Sequence, residues 1–139
     1  MSKDGWLAEV SWAGDYLFVG TDLKGHSVVY DSDDPTPKGI SPMRAVLTSL
    51  GACSGMDVVA ILKKRKQKLE SLKVLLSGTR PEHGYPKPWQ TIDVKYMLSG
   101  DLERKFVEEA VNDSMSKFCS VAATLRPGVK ITYSYEIAR

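Results

Sequence analysis

The chain has 139 residues, 42% hydrophobic and 26% charged, which is enough apolar material for one globular domain spanning residues 1–139. Nineteen basic against seventeen acidic side chains leave a formal charge of +2, so net charge gives no reason to expect a nucleic-acid partner. Two cysteines, no CxxC, and two histidines far apart in sequence, His26 and His83, argue against a metal centre.

Three short β-rich runs come first, Trp6 to Trp12, Tyr16 to Val19 and His26 to Tyr30. Ala13-Gly14-Asp15 and Lys24-Gly25 separate them, which predicts an antiparallel meander. Asp31 to Pro42, DSDDPTPKGISP, is a loop by its density of Asp, Pro, Gly and Ser. Ser41 then offers an N-cap with Pro42 at the first helical position. From Met43 to about Lys66 the spacing of Ala45, Val46, Leu50, Cys53, Val58, Ile61 and Leu62 predicts one long, largely buried helix.

After the basic end KKRKQK, a solvated helix terminus, come two strands, Leu72 to Thr79 and Thr91 to Leu98. The proline-rich connection RPEHGYPKPWQ makes them a hairpin with a long loop, in which Tyr85 and Trp89 either anchor the loop or wall a pocket. Asp101 is expected to cap a second helix over Leu102 to about Val121, with Phe106, Val107, Ala110, Val111, Ser114, Met115 and Phe118 as its buried stripe. Val129 to Ile137 alternates apolar and polar residues and closes the chain as a half-buried strand. The order βββ-α-ββ-α-β is an α+β plan.

Gly51 and Gly55 lie four apart on the first helix, beside Ala52 and Ser54. Glycine costs a helix about 1 kcal/mol relative to alanine, so a close approach by another helix or a ligand is the expected reason for both. A helix this apolar needs cover on most sides, and one other long helix is too little, which predicts a homodimer through the central helix. The cysteines admit two readings: Cys53 and Cys119 as small buried hydrophobes, or as a reactive pair, one thiol forming a sulfenic acid and the other resolving it. MSKDGWLAEVSW lacks an apolar leader and no uninterrupted apolar run reaches the ~18 residues of a membrane span, so the expected compartment is the cytoplasm, away from any membrane.

SPMRAVLTSLGACSGMDVVAIL, the spacing of 66 positions between Cys53 and Cys119 (119 minus 53), and the closing FCSVAATLRPGVKITYSYEI together resemble the OsmC/Ohr family of thiol-dependent hydroperoxide reductases. The resemblance covers nearly the whole chain in element order. It is closest to the OsmC-like branch in which the first cysteine is followed by a small residue, Gly, a hydrophobe and Asp, here Cys53-Ser54-Gly55-Met56-Asp57. It implies an intertwined homodimer, with two central helices wrapped by antiparallel sheet and active sites at the subunit interface. It also implies Cys53 as the peroxidatic thiolate acting on hydroperoxides, organic ones foremost, and Cys119 as its resolving partner in a disulfide. An external thiol or dithiol would act as reductant, and no metal, flavin or haem would be required.

The family pattern places Glu ten residues before the first cysteine, orienting an Arg that stabilises the thiolate. Met43 stands at that position here, and the first arginine of the chain is Arg44. At ~100° per residue Arg44 is roughly opposite Cys53 on a straight helix, whereas Asp57 shares the face of Cys53. An unpaired Asp57 would raise the thiol pKa, so it is expected either to orient a cation or to fix the helix through a hydrogen bond. The same residues are also compatible with general thiol–disulfide exchange, or with a binding protein that kept the fold and cysteines.

Overall fold

Turn chemistry organises the first part of the chain. In the computed structural model, which describes residues 5–138, Gly14 and Asp15 take positive φ and reverse the chain between β1 (Ala8–Trp12) and β2 (Phe18–Asp22). The Trp12 indole N–H donates to the Asp15 carbonyl across this turn at 2.7 Å. The second reversal is held by Asp22, whose carboxylate accepts from the N–H groups of Lys24 and His26 at 2.8 and 2.9 Å, and β3 (Ser27–Tyr30) follows. Donation from His26, first by its backbone and then by its ring, lowers the Asp22 pKa. The three strands pair antiparallel in the order β1-β2-β3, the expected meander.

Contacts divide the chain into a unit up to Val46 and one from Leu47 onward. The first leaves Val10, Trp12 and Tyr16 largely exposed. A pocket of about 390 Å³ within it is lined by Val10, Tyr16, Phe18, Tyr30, Asp31, Ser32 and Pro42 and includes neither cysteine.

Helix α1 (Pro42–Lys64) starts where Ser41 and Pro42 direct it: the Ser41 hydroxyl accepts the Arg44 N–H at 3.3 Å. It ends before Lys66, which turns the chain with a φ of 57°. The small and apolar positions Leu50, Gly51, Ser54, Gly55, Val58 and Leu62 form its buried face. The two glycines of that face pack on a strand, β4 (Lys68–Thr79), where their spacing had suggested another helix or a ligand. A Cβ on Gly51 would stand 2.8 Å from the Leu76 methyl, whereas one on Gly55 would make ordinary contact with Val74 at 3.8 Å. Only Gly51 is tight.

The helix is also more apolar than its uninterrupted runs suggest. An 18-residue window of α1 reaches a mean hydropathy of 1.8, long and apolar enough by length and composition to cross a membrane. Small residues bring this about, since Gly, Ala and Ser interrupt the apolar runs yet subtract little from the sum. Met56 (71% exposed) and Val59 (45%) occupy the face away from the sheet.

The second sheet has the order β4-β5-β6, with β5 (Thr91–Asp101) at its centre. Alternation places Ile92, Val94, Tyr96 and Leu98 on one face of β5, and all four are buried. Val74 and Leu76 of β4 continue that face, opposite Tyr96 and Val94 in the antiparallel register. The pairing jumps a residue at Glu70, where Gly100 takes a φ of +135° and its missing side chain leaves room for the Lys68 carbonyl. Strand β6 (Lys130–Ile137) pairs with β5 in parallel, Ile92 opposite Ile131 and Leu98 opposite Ile137. The sheet is therefore mixed, not wholly antiparallel. The helical connection between Leu102 and Val129 returns the chain to the end at which β5 began, which a parallel partner requires.

That connection is not the single helix expected over Leu102 to Val121. α2 covers Arg104–Asp113, a π-turn covers Ser114–Phe118, and α3 covers Ser120–Leu125. Asp101 ends β5 instead of capping α2, whose N-cap position is Glu103. Val107, Ala110, Val111, Ser114 and Met115 are buried as the stripe predicted, but Phe118 is 56% exposed because the π-turn rotates it outward.

Candidate functional site

The π-turn determines where the second cysteine goes. The Cys119 N–H reaches back five residues to the Ser114 carbonyl at 2.8 Å, one residue further than in an α-helix. The chain then leaves helical geometry at Cys119 (φ −71°, ψ 106°), and α3 begins with that residue as its N-cap. The Cys119 sulfur accepts the Ala122 N–H at 3.4 Å. The widened turn is braced by Arg126, whose guanidinium donates to the Met115 carbonyl. Cys119 is thereby turned inward and is 2% exposed.

Cys53 is half-buried on α1, and its side chain is near enough to that of Cys119 for the two to interact; neither sulfur is in a disulfide. The structure therefore brings together the two cysteines singled out from the sequence. Burial, first of all, pushes the Cys119 pKa up. The Ala122 N–H opposes this, while Cys53 reinforces it through its side chain and its charge.

Beside the thiols a line of hydroxyls crosses the core. Tyr96 from β5 bonds the Ser54 hydroxyl, Ser54 bonds the Ser114 hydroxyl at 2.7 Å, and Ser114 donates to Asp57 Oδ2 at 2.9 Å. An ionised carboxylate only accepts, so Asp57 fixes the direction of the line: Ser114 donates to Asp57, Ser54 to Ser114, and Tyr96 to Ser54. Tyr96, Ser54 and Ser114 are fully buried, and among the described residues no buried side-chain N or O lacks a partner. Burial pushes the Tyr96 pKa up to about 12, against the lowering effect of its bond to Ser54.

Asp57 thus accepts the Ser114 hydroxyl. Arg44 pairs with Asp33 at 3.1 Å, and both side chains are more than half exposed. In the β4–β5 loop Tyr85 and His83 are exposed, while Trp89 packs over Gly78 with Arg80 stacked on its ring. No group of His, Cys, Asp and Glu disposed to hold a metal ion occurs among the described residues. Sequence reasoning missed Ser54 and Tyr96 as parts of the site and took Ser114 for a member of an apolar stripe. A serine on a buried stripe was the available signal, because a buried hydroxyl needs a partner.

A thiol pair set between a long helix and the helical crossover of a mixed sheet defines the class: an α+β protein with vicinal cysteines. The OsmC-like protein family matches residues 34–134, and the chain belongs to that family. It is 38% identical over 133 residues to protein YhfA of Escherichia coli K12, covering 94% of this chain and 96% of that one. Its fold is similar to that of a hypothetical protein from Aquifex aeolicus VF5, with a TM-score of 0.80, 34% identity, and coverage of 95% and 96% of the two chains. It is also similar to that of an OsmC-like protein from Mycoplasma pneumoniae, with a TM-score of 0.83, 15% identity, and coverage of 95% and 96%.

Proposed function

We propose that this chain is a thiol-dependent hydroperoxide reductase in which Cys53 is the attacking sulfur and Cys119 the resolving one, organic hydroperoxides being the foremost substrates. The observation that carries the reading is the contact between two thiols 66 positions apart in a chain of the OsmC-like family. The Cys53 thiolate attacks one peroxide oxygen; an S–O bond forms, the O–O bond breaks, and the alkoxide leaves as the alcohol after taking a proton. The Cys119 sulfur then attacks the Cys53 sulfur, the S–S bond forms, and the hydroxyl of the sulfenic acid leaves as water with the Cys119 proton. An external thiol or dithiol restores the pair by exchange. The two sulfurs carry the cycle, with no metal, flavin or haem in it.

The same reading takes residues 1–139 as one OsmC-like domain of a cytoplasmic homodimer. The face of α1 that exposes Met56 and Val59 supports association through that helix, which light scattering tests directly. Asp57 acts as an anchor for Ser114, not as a proton donor. One departure favours a second reading, general thiol–disulfide exchange by the same pair: Met43 occupies the family's Glu position, and Arg44 is engaged with Asp33. Stopped-flow oxidation by cumene hydroperoxide and by hydrogen peroxide, with mass spectrometry of the product, separates the two. Fast formation of a Cys53–Cys119 disulfide supports the peroxidase. Inertness to both peroxides with rapid reduction of disulfide substrates supports exchange, and two inert thiols would leave a binding protein.

A further inference from the structure

We propose that Ser114 is the positioning residue of the thiol pair: its hydroxyl fastens the π-turn to α1 at Ser54 and Asp57, and its carbonyl holds the backbone of Cys119. The inference rests on the reading of Cys53 and Cys119 as a reactive pair. Three observations meet at this one residue. The Ser114 hydroxyl bonds Ser54, the immediate neighbour of Cys53, at 2.7 Å. The same hydroxyl donates to Asp57, one turn further along α1, at 2.9 Å. The Ser114 carbonyl accepts the Cys119 N–H at 2.8 Å, closing the π-turn that aims the second sulfur.

Cys53 is bonded directly to Ser54, and the Cys119 N–H reaches Ser114 through one hydrogen bond, so both cysteines are tied to a single hydrogen bond between two serines. Apolar side chains would fill the same contact between α1 and the crossover without any demand for exact partners. Hydroxyls make the contact register-specific, since a slip of α1 by one residue separates Ser54 and Asp57 from Ser114 together. The tyrosine at the far end, Tyr96, buttresses Ser54 from the sheet side. Disulfide formation is sensitive to such placement, because a closed S–S bond tolerates a narrow range of Cα separations and dihedral angles.

The test is a redox equilibrium that does not involve peroxide. The full-length protein is titrated with mixtures of oxidised and reduced glutathione, and the Cys53–Cys119 disulfide is counted by mass spectrometry; two protein thiols and one glutathione disulfide give one protein disulfide and two glutathione thiols. Ser114→Ala should lower the equilibrium constant at least tenfold, a potential about 30 mV more oxidising for this two-electron couple. Ser54→Ala cuts the same link from the other side and carries the test if Ser114→Ala does not fold. The double variant should be shifted no further than the larger single.

Tyr96→Phe lesions the core but leaves the Ser54–Ser114 bond intact, and should shift the constant by less than threefold. A folded Ser114→Ala or Ser54→Ala protein with the wild-type potential would overturn the proposal. So would a Tyr96→Phe shift as large as theirs, or the absence of any Cys53–Cys119 disulfide in the wild type. A wild-type disulfide in a protein inert to hydroperoxides would instead overturn the peroxidase reading and leave the role of Ser114 standing.

Discussion

Replacing Tyr96 by phenylalanine should lower stability at neutral pH and raise it, relative to the wild type, in strong base. The ring is fully buried and its hydroxyl has one partner, Ser54, so the substitution removes a donor and little volume. Leaving the Ser54 lone pair without that donor costs about 1–2 kcal/mol at pH 7. The tyrosine carries an opposite liability. Its pKa is about 12 in the folded protein against 10.0 for an unperturbed phenol, so between those values the unfolded chain gives up a proton that the native chain retains. Stability conferred by the neutral phenol is complete below pH 10 and drains away as pH rises toward 12, by about 1.4 kcal/mol per pH unit. The wild-type advantage should therefore vanish near pH 11. Cys119, whose pKa is also raised, slopes the same way in both proteins and largely cancels in the difference. Urea unfolding of the two reduced proteins from pH 7 to pH 11, followed by circular dichroism, measures the gap directly. A stability difference that stays constant over that range would refute the assignment of Tyr96 as a buried neutral phenol.

Cys53→Ser should abolish hydroperoxide consumption, whereas Cys119→Ser should retain a single turnover ending in a sulfenic acid that dimedone captures; mass spectrometry distinguishes the two products. Gly55→Ala should stabilise the protein by about 0.5–1 kcal/mol in urea unfolding, because the new methyl has room against Val74 and alanine favours the helix. Gly100→Ala should cost more than about 2 kcal/mol by the same measurement, since a methyl group there meets backbone at Lys68 and Glu70 and the φ of +135° disfavours any side chain.

What was legible in the sequence is local. Turn residues marked the meander, Ser41 and Pro42 marked the start of α1, and the β-rich run Thr91 to Leu98 was marked as a strand, because each is determined by neighbours within a few residues. The direction of β6 was not legible: Val129 to Ile137 reads identically whether its partner runs parallel or antiparallel, and the choice lies in where the crossover delivers the chain. The break after Asp113 was hidden for a different reason. Ser114 to Val121 continues an acceptable helical pattern, and only the tertiary demand to turn Cys119 inward, paired with Arg126 reaching Met115, replaces one α-turn by a wider one. The two cysteines were visible as candidates, but their contact depends on that break. The hydroxyl line was invisible because its members come from α1, β5 and the π-turn.

The wider turn has a consequence for how this chain tolerates change in length. An i→i−5 closure holds one residue more than an i→i−4 closure, so the distance along the chain from Ser114 to Cys119 is itself a specification. Removing any one of residues 115–118 should let the segment heal into an uninterrupted α-helix and carry the downstream thiol about 100° around the axis, away from Cys53. Circular dichroism would then register a gain in helix while the capacity to form the internal disulfide disappeared. Point substitutions at exposed Ser116 and Lys117 leave the count intact and should be silent in the same assay. In this stretch the number of residues is under stronger constraint than their identity.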